Sequence, residues 1–242
     1  MRTAVIIGGG RFGTTAAIEA RMRGDRALVV DRDPGCMARG IAKEASDPDA
    51  VLRAGRGEVL FRQGDGAAAL LDLMERWVPD LVVPAAPGHL AALLAVERGR
   101  RAARPLAPAP ELAALVRERL PPRSVALIDE ANAVVVTSFM GEGRCVDGCA
   151  QDALCPVTGE RHDRPMHELI RTALEGAADR SVVLISSATG TVGGLAGGDL
   201  GEMLRTVDRT GDGEAVAIAT ACRCHGVINL LRRGKEGQPS AR

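Results

Sequence analysis

The segment TAVIIGGGRFGTTAAIEARMRGDRALVVD, residues 3–31, decides the fold of the first part of the chain. Its apolar start meets Gly8, Gly10 and Gly13 in the spacing G-x-G-x-x-G, and a helix-compatible stretch follows directly. A second apolar run ends in Asp31, eighteen residues after Gly13. Strand, glycine turn, helix, strand and acid in this order are typical of a dinucleotide-binding βαβ unit.

Each residue of this pattern has a physical role. Gly8 allows the tight turn, Gly10 lets the backbone approach a pyrophosphate, and Gly13 lets the helix pack closely on the strand. The phosphates would lie at the helix N-terminus, near its unpaired N–H groups. Asp31 would accept hydrogen bonds from a ribose diol, which favours NAD(H) over NADP(H), although the neighbouring Arg32 weakens this preference. The alternative is a Rossmann-type turn whose glycines serve packing alone.

The sequence GGGRFG at residues 8–13 resembles the glycine loop of RCK (TrkA-N) domains, the nucleotide-binding subunits of bacterial potassium transporters and channels. Residues 63–65 (QGD) and 80–86 (DLVVPAA) are similar to that family's third and fourth strands, and the resemblance ends near residue 100. It implies a homodimer and a regulatory role at a membrane partner. Further candidate nucleotide contacts are Arg11, Phe12, Arg32, Asp65 and Ala85.

Composition excludes several classes of function. The 242 residues are 46% hydrophobic and 26% charged, which is ordinary for one or two globular domains. With 31 basic and 31 acidic side chains the net charge is zero, so no overall field attracts nucleic acid. Three Phe and one Trp offer no surface for stacking bases. We therefore expect no nucleic-acid partner.

The hydrophobic segments are too short for a membrane protein. The first apolar run breaks at its glycines and does not resemble a signal-peptide core, and no segment is long enough to span a bilayer. We expect a cytoplasmic protein that is not itself membrane-spanning. In that reducing compartment the six cysteines would be ligands, redox groups or small core residues rather than disulfides.

The pattern of elements predicts an α/β chain with two domains. Strands at residues 3–8, 26–31, 57–62 and 80–86 alternate with helices, one of them near 36–45, and predict a parallel sheet. Three prolines within residues 105–110 predict a linker. The expected organisation is a Rossmann-like domain over residues 1–104, a proline-rich linker with a short helix over 105–122, a second, smaller α/β domain over 123–233, and a disordered tail over 234–242.

Five cysteines of the second domain form the candidate metal site. Cys145, Cys149 and Cys155 follow the spacing C-x3-C-x5-C-P, and Cys222 and Cys224 lie just before His225. These thiolates, with the adjacent histidine, would suffice for a four-coordinate site, and thiolate-rich ligation suits an iron-sulfur cluster or zinc. The alternative is a set of unrelated small buried residues. Cys36, after Asp31, is interpreted as a small packing residue or, alternatively, as a redox-sensitive thiol.

Other motifs are less specific. The glycine-rich residues 189–198 (TGTVGGLAGG) predict either an anion-binding or lid loop or a plain connector. His89, His162, His167 and His225 are candidate proton-transfer groups or ordinary capping and surface residues. The chain has neither a G-x-S-x-G elbow nor H-E-x-x-H, so hydrolase and zinc-protease functions find no support.

Three functions fit this sequence. The first is an oxidoreductase that combines NAD(H), a metal or iron-sulfur centre, and a small-molecule substrate. The second, implied by the RCK resemblance, is a nucleotide-sensing regulatory subunit of a potassium transporter. The third is a metal-trafficking or cofactor-assembly protein. The pattern identifies no catalytic residue.

Overall fold

The computed structural model describes residues 1–141 and 145–234. The predicted tail, residues 234–242, lies outside this part except for Gly234. The strands are β1 (Thr3–Ile7), β2 (Arg26–Asp31), β3 (Lys43–Glu44), β4 (Val59–Gln63), β5 (Leu81–Pro84), β6 (Leu106–Pro108), β7 (Val125–Asp129), β8 (Val134–Ser138), β9 (Arg180–Ile185), β10 (Ser187–Ala188), β11 (Gly193–Ala196), β12 (Ala215–Ala221) and β13 (His225–Arg233). The helices are α1 (Arg11–Arg23), α2 (Ala50–Arg53), α3 (Gly66–Met74), α4 (Leu90–Arg101), α5 (Pro110–Arg119), α6 (Met166–Leu174) and α7 (Gly197–Asp208).

The chain forms two compact units. The first unit comprises Met1–Leu90 and Ser187–Gly201, and the second comprises Ala91–Ser186 and Glu202–Arg242. The second unit is therefore the larger, not the smaller as expected, and a late segment returns to the first. No helix in the described ranges is long and apolar enough to cross a membrane.

The predicted linker is part of the second unit. Instead of a free connection, α4 continues to Arg101, and β6 pairs antiparallel with the end of β13. Prolines are compatible with such a strand because an edge position leaves one side without ladder hydrogen bonds. The proline pattern therefore marks an edge strand rather than a division between domains.

The first unit contains the expected Rossmann-like sheet. Its strand order is β10-β11-β5-β1-β2-β4-β3, and β5, β1, β2 and β4 are parallel. All five residues of β1 are buried, and α1 ends at Gly24 in the left-handed conformation, as predicted. The chain proceeds from β1 to one side and then returns to the other with β5, so the point at which the strand order reverses lies between β1 and β5, where ligands bind in sheets of this type.

Two segments of the first unit differ from the sequence interpretation. Residues 36–45 lack an apolar helical stripe and form a short 3-10 helix, Met37–Gly40, before β3. The glycine-rich residues 189–198 supply β11, which pairs antiparallel with β5. A Cβ added at Gly197 would lie 1.9 Å from the Pro79 carbonyl oxygen, so this glycine serves close packing. The connector interpretation fits this segment better than an anion loop.

The second unit is built on a mixed sheet of order β7-β8-β13-β12-β9. Neighbouring strands from β7 to β12 are antiparallel, whereas β9 is parallel to β12. The predicted strands over residues 125–128, 133–139, 181–187 and 215–221 are confirmed, and the ambiguous stretch 226–231 is a strand. α5 and α6 contribute Val116, Ile170 and Leu174 to its buried core.

Candidate nucleotide and metal sites

The glycine loop after β1 is closed on one side and open on the other. Gly8 has φ +105°, and a Cβ there would lie 2.7 Å from the Ala85 carbonyl carbon. A Cβ at Gly13 would lie 1.8 Å from the Gly8 carbonyl oxygen. At Gly10, by contrast, an added Cβ meets nothing within 4 Å, and no side chain caps the start of α1. The helix N-terminus is thus open at the position where a phosphate would need to approach.

Asp31, predicted to bind ribose, holds the glycine loop. Its Oδ2 accepts a hydrogen bond from the Gly9 N–H at 2.5 Å, and its Oδ1 accepts one from the Asp33 N–H at 2.8 Å. An ionised carboxylate has about four acceptor positions, so it still has capacity for ribose hydroxyls. Cys36 packs against the same loop, because a Cβ at Gly9 would lie 2.3 Å from its buried sulfur. This contact fits the interpretation of Cys36 as a small packing residue.

Arg32 and Asp65 form an ion pair beside this loop. The Asp65 carboxylate also caps α3, where its Oδ1 accepts the Ala68 N–H at 2.9 Å. This backbone hydrogen bond and the Arg32 guanidinium lower the pKa of Asp65. Arg32 is therefore engaged with a carboxylate.

The remaining predicted nucleotide contacts lie near the ends of β1 and β5. Phe12 is half exposed in the first turn of α1, and the Arg11 guanidinium lies 5.4 Å from its ring centre. The Ala85 N–H donates to the Ile7 carbonyl at 2.8 Å, and its own backbone lines the turn at Gly8. Arg11, Phe12 and Ala85 thus surround the glycine loop without blocking Gly10.

In the second unit, strand pairing brings the two cysteine segments together. β8 lies next to β13, with Ser138 in register with His225. The Phe139 N–H donates to the Cys224 carbonyl at 3.0 Å, exactly where the chain leaves β8 toward Cys145. Cys222 and Cys224 occupy the turn between β12 and β13. Both segments therefore begin at the same edge of the sheet.

Backbone N–H groups point at several of the sulfurs. The Cys222 sulfur accepts the N–H groups of Cys224 at 3.4 Å and His225 at 3.3 Å. The Cys155 sulfur accepts the Thr158 N–H at 3.5 Å, and the Cys149 sulfur the Gln151 N–H at 3.4 Å. Hydrogen bonds of this kind stabilise a thiolate, which is the form that binds metal.

The thiols also act on one another electrostatically. Burial and then the thiols of Cys222, Cys149, Cys155 and Cys145 raise the pKa of Cys224 to about 11. Burial, followed by the neighbouring Cys149, raises the pKa of Cys145. Hydrogen bonds from the Thr158 side chain and backbone lower the pKa of Cys155. The five predicted ligands, here called the cysteine cluster, are therefore near enough for their charges to interact, and each is a free thiol.

This cluster is not a complete metal site. Within residues 1–141 and 145–234, no three His, Cys, Asp or Glu side chains are grouped closely enough to hold an ion. One pair is already close, since the Cys222 sulfur lies 3.7 Å from the His225 Nδ1. His225, the histidine adjacent to Cys224, counts toward a complete site in the sequence, but only the five cysteines are predicted there as ligands. The C-x-x-H spacing from Cys222 to His225 is the signal that could have found it.

The other histidines have separate surroundings. The His162 ring stacks on Phe139 with centroids 4.1 Å apart, and burial together with this stacking fixes it beside the cysteine segments. His167 lies in the first turn of α6, and its Nδ1 is buried. His89 directly precedes α4 in the first unit.

Comparisons with known proteins cover both units. Family models described as "Uncharacterized protein, N-terminal domain" and "Uncharacterized protein, C-terminal domain" match residues 3–90 and 101–234. An uncharacterized protein of Archaeoglobus fulgidus is 28% identical over 229 residues, which are 95% of this chain and 99% of that protein.

The solved structures that match this chain are only weakly similar to it. Two structures of N5-carboxyaminoimidazole synthetase from Staphylococcus aureus, one of them with ADP, share 15% and 16% identity with this chain at a TM-score of 0.23. The chain spans 46% and 47% of their lengths. So low a TM-score carries no argument about fold or ligand.

The predicted resemblance to RCK domains was wrong. The matching family models are those of a different two-domain protein, and they account for both halves of the chain. The motifs that suggested RCK domains, GGGRFG and Gly64-Asp65, serve a turn and a helix cap here, and such features are shared by many βαβ units. The homodimer and the membrane partner that the resemblance implied lose their basis with it.

Proposed function

The chain belongs to the AF_1314 family of two-domain proteins, and we propose that it is an NAD(H)-binding oxidoreductase whose second unit holds a thiolate-bound metal centre. The nucleotide would carry hydride to or from a small-molecule substrate. We place the protein in the cytoplasm, where thiolates remain reduced.

The open backbone at Gly10 carries this proposal. Gly8, Gly9 and Gly13 are all closed by neighbouring atoms, so packing explains why they are glycines. Packing does not explain Gly10, since its Cβ position is empty space at the N-terminus of α1. A pyrophosphate approaching the helix dipole would use that space. Binding therefore accounts for a residue for which packing gives no reason.

The cysteine cluster supports the metal centre. Burial, and after it the neighbouring thiols, raise the pKa of Cys224 and of Cys145, and a cation bound among these sulfurs would offset this cost of forming a thiolate. Backbone N–H groups already point at Cys149, Cys155 and Cys222. Buried packing residues would not require such hydrogen bonds.

A metal-trafficking or cofactor-assembly role is the second candidate. It is favoured by the number of thiols, because five are more than one four-coordinate ion needs, and Cys145 is exposed. The rate at which the metal exchanges with a chelator distinguishes the two candidate functions. A carrier would lose its metal to a competing chelator within seconds, whereas the centre of an oxidoreductase would remain bound through many turnovers.

The nucleotide site is tested by titrating the full-length protein with NADH and NADPH while following nicotinamide fluorescence. We expect NADH to bind more tightly than NADPH, and Gly10→Ala to weaken binding at least about tenfold because the methyl group fills the phosphate position. Gly198→Ala is the matched control, since its Cβ also meets nothing within 4 Å. Equal binding by the two variants would contradict the proposal.

A further inference from the structure

We propose that the metal in the second unit is a single zinc ion bound by three sulfurs and one nitrogen, with His225 Nδ1 as the nitrogen ligand. The sulfurs are those of Cys149, Cys155 and Cys222. The inference rests on the metal centre proposed above and narrows it, because it replaces an all-cysteine ligand set and excludes an iron-sulfur cluster.

The distance between Cys222 and His225 is the first argument. Zinc binds sulfur at about 2.3 Å and imidazole nitrogen at about 2.0–2.1 Å in a tetrahedral arrangement, so two such ligands lie about 3.6 Å apart. The Cys222 sulfur and the His225 Nδ1 are 3.7 Å apart. The two atoms already have the separation that one shared tetrahedral ion requires.

The backbone of the turn fixes this pair. The Cys222 N–H donates to the His225 carbonyl at 2.9 Å, while the Cys222 sulfur accepts the N–H groups of Cys224 and His225. The turn therefore holds the side chains of residues 222 and 225 on the same side. Residue 224 contributes an N–H to this arrangement, and since a four-coordinate ion needs no fifth ligand, Cys224 is not assigned to the set.

Cys155 is the next ligand, because it has a similar local arrangement. The Cys155 N–H donates to the Glu160 carbonyl, and the Gly159 N–H donates to the Cys155 carbonyl, both at 2.9 Å. This tight hairpin directs the Thr158 N–H at the Cys155 sulfur. The Arg223 guanidinium donates to the His162 carbonyl at 2.9 Å, and the His162 N–H donates to the Ala153 carbonyl at 2.8 Å, so the hairpin is hydrogen-bonded to the turn that carries Cys222 and His225.

Cys149 completes the set. Its sulfur accepts the Gln151 N–H, as those of Cys155 and Cys222 accept N–H groups of their own turns. Zinc would draw the sulfurs of Cys149 and Cys155 toward the Cys222–His225 pair and so complete the coordination. Cys145 is exposed and remains outside the set.

This ligand set has a chemical consequence. A tetrahedral site closed by four protein ligands is of the structural type, and zinc has no redox chemistry. The ion would then fasten the segment that follows β8 to the turn between β12 and β13. Hydride chemistry would depend on the nucleotide alone, and the metal-loaded protein would be colourless.

Metal analysis and zinc-edge X-ray absorption of the full-length protein, purified without oxygen, test the inference. We expect one zinc per chain, no acid-labile sulfide, and a shell of three sulfurs and one nitrogen with imidazole scattering. His225→Ala should lower zinc affinity at least about tenfold and remove the imidazole signal. His225→Cys should restore binding with four sulfurs, which separates loss of a ligand from misfolding.

Further variants test the choice of sulfurs. Cys149→Ser, Cys155→Ser and Cys222→Ser should each weaken zinc binding, whereas Cys224→Ser should retain it, and Cys36→Ser in the first unit is the control. Iron with sulfide, a four-sulfur shell in the wild type, or full affinity in His225→Ala would overturn the ligand set while leaving the metal centre intact. Protein that binds no metal would overturn both.

Discussion

The glycine loop of the first unit and the cysteine cluster of the second are assembled by opposite means. Residues 8–13 follow one another along the chain, and backbone contacts such as that between Gly8 and Gly13 fix them in one conformation. The cysteines come from two distant segments that meet only because β8 pairs with β13. A site encoded locally is complete before its ligand arrives, whereas a site encoded by strand pairing depends on the whole sheet and on the ion.

The largest effect should come from removing the close backbone approach in the glycine loop. Gly13→Ala would place a Cβ 1.8 Å from the Gly8 carbonyl oxygen, which the backbone cannot avoid without moving α1 from β1. We expect the free energy of unfolding of the first unit to fall by about 3 kcal/mol.

Urea denaturation followed by the fluorescence of Trp77 measures this change, because Trp77 is the single tryptophan and belongs to the first unit. Gly10→Ala is the matched control, and it should unfold like the wild type although it loses NADH binding. If Gly13→Ala were as stable as Gly10→Ala, the glycine loop would not be fixed by the contacts described.

A smaller effect should follow from disturbing the strand pairing that assembles the cysteines. A Cβ at Gly226, in β13, would lie 2.4 Å from the Ile170 Cδ1 and 2.9 Å from the Thr137 hydroxyl. We expect Gly226→Ala to cost the second unit about 2 kcal/mol and to lower zinc affinity about tenfold, although no thiol is altered. Chelator competition measures the affinity.

The Trp77 unfolding transition and NADH binding serve as internal controls for Gly226→Ala, and both should remain unchanged. Unaltered zinc affinity in this variant would mean that the cysteine cluster does not depend on the pairing of β8 with β13. The cysteine cluster would then not differ from the glycine loop in depending on distant strand pairing.

The smallest effect concerns the cap of α3. Asp65→Ala removes the acceptor of the Ala68 N–H and should destabilise the first unit by about 1 kcal/mol at neutral pH. Since the Ala68 N–H and Arg32 lower the pKa of Asp65 in the folded state, its contribution is present above the unfolded value of about 3.9. It is lost as the pH falls through the lower, folded pKa.

The measurement is the difference in unfolding free energy between Asp65→Ala and the wild type, from urea titrations followed by Trp77 at several pH values. We expect the difference to narrow in acid. A difference that is the same at about pH 7 and about pH 3 would show that the Asp65 charge contributes nothing to the cap.

The same contrast between local and non-local contacts explains which parts of the fold could be predicted from the sequence. The β1 glycine turn, Gly24 as a helix end and most strands were predictable because short-range patterns of apolar residues and glycines determine them. The return of residues 187–201 to the first sheet was not predictable, since it depends on β11 pairing with β5.

The candidate site was predictable in part. The five thiols were identified from their clustering, yet their meeting depends on the register of Ser138 with His225, which no local pattern encodes. His225 was noted beside Cys224, but no local pattern shows that its Nδ1 lies next to the Cys222 sulfur. The prolines near residues 105–110 predicted a linker for a similar reason, since only the pairing with β13 shows that Leu106–Pro108 is an edge strand.

Native mass spectrometry of the wild type, Gly10→Ala and Cys222→Ser, each at NADH and zinc concentrations that only just saturate the wild type, tests the central claim most directly. The claim is that each unit holds its own ligand. The wild type should carry one nucleotide and one zinc, Gly10→Ala should keep only zinc, and Cys222→Ser should keep only the nucleotide. The claim would be contradicted if the wild type carried neither NADH nor zinc. It would also be contradicted if Gly10→Ala and Cys222→Ser each retained both NADH and zinc.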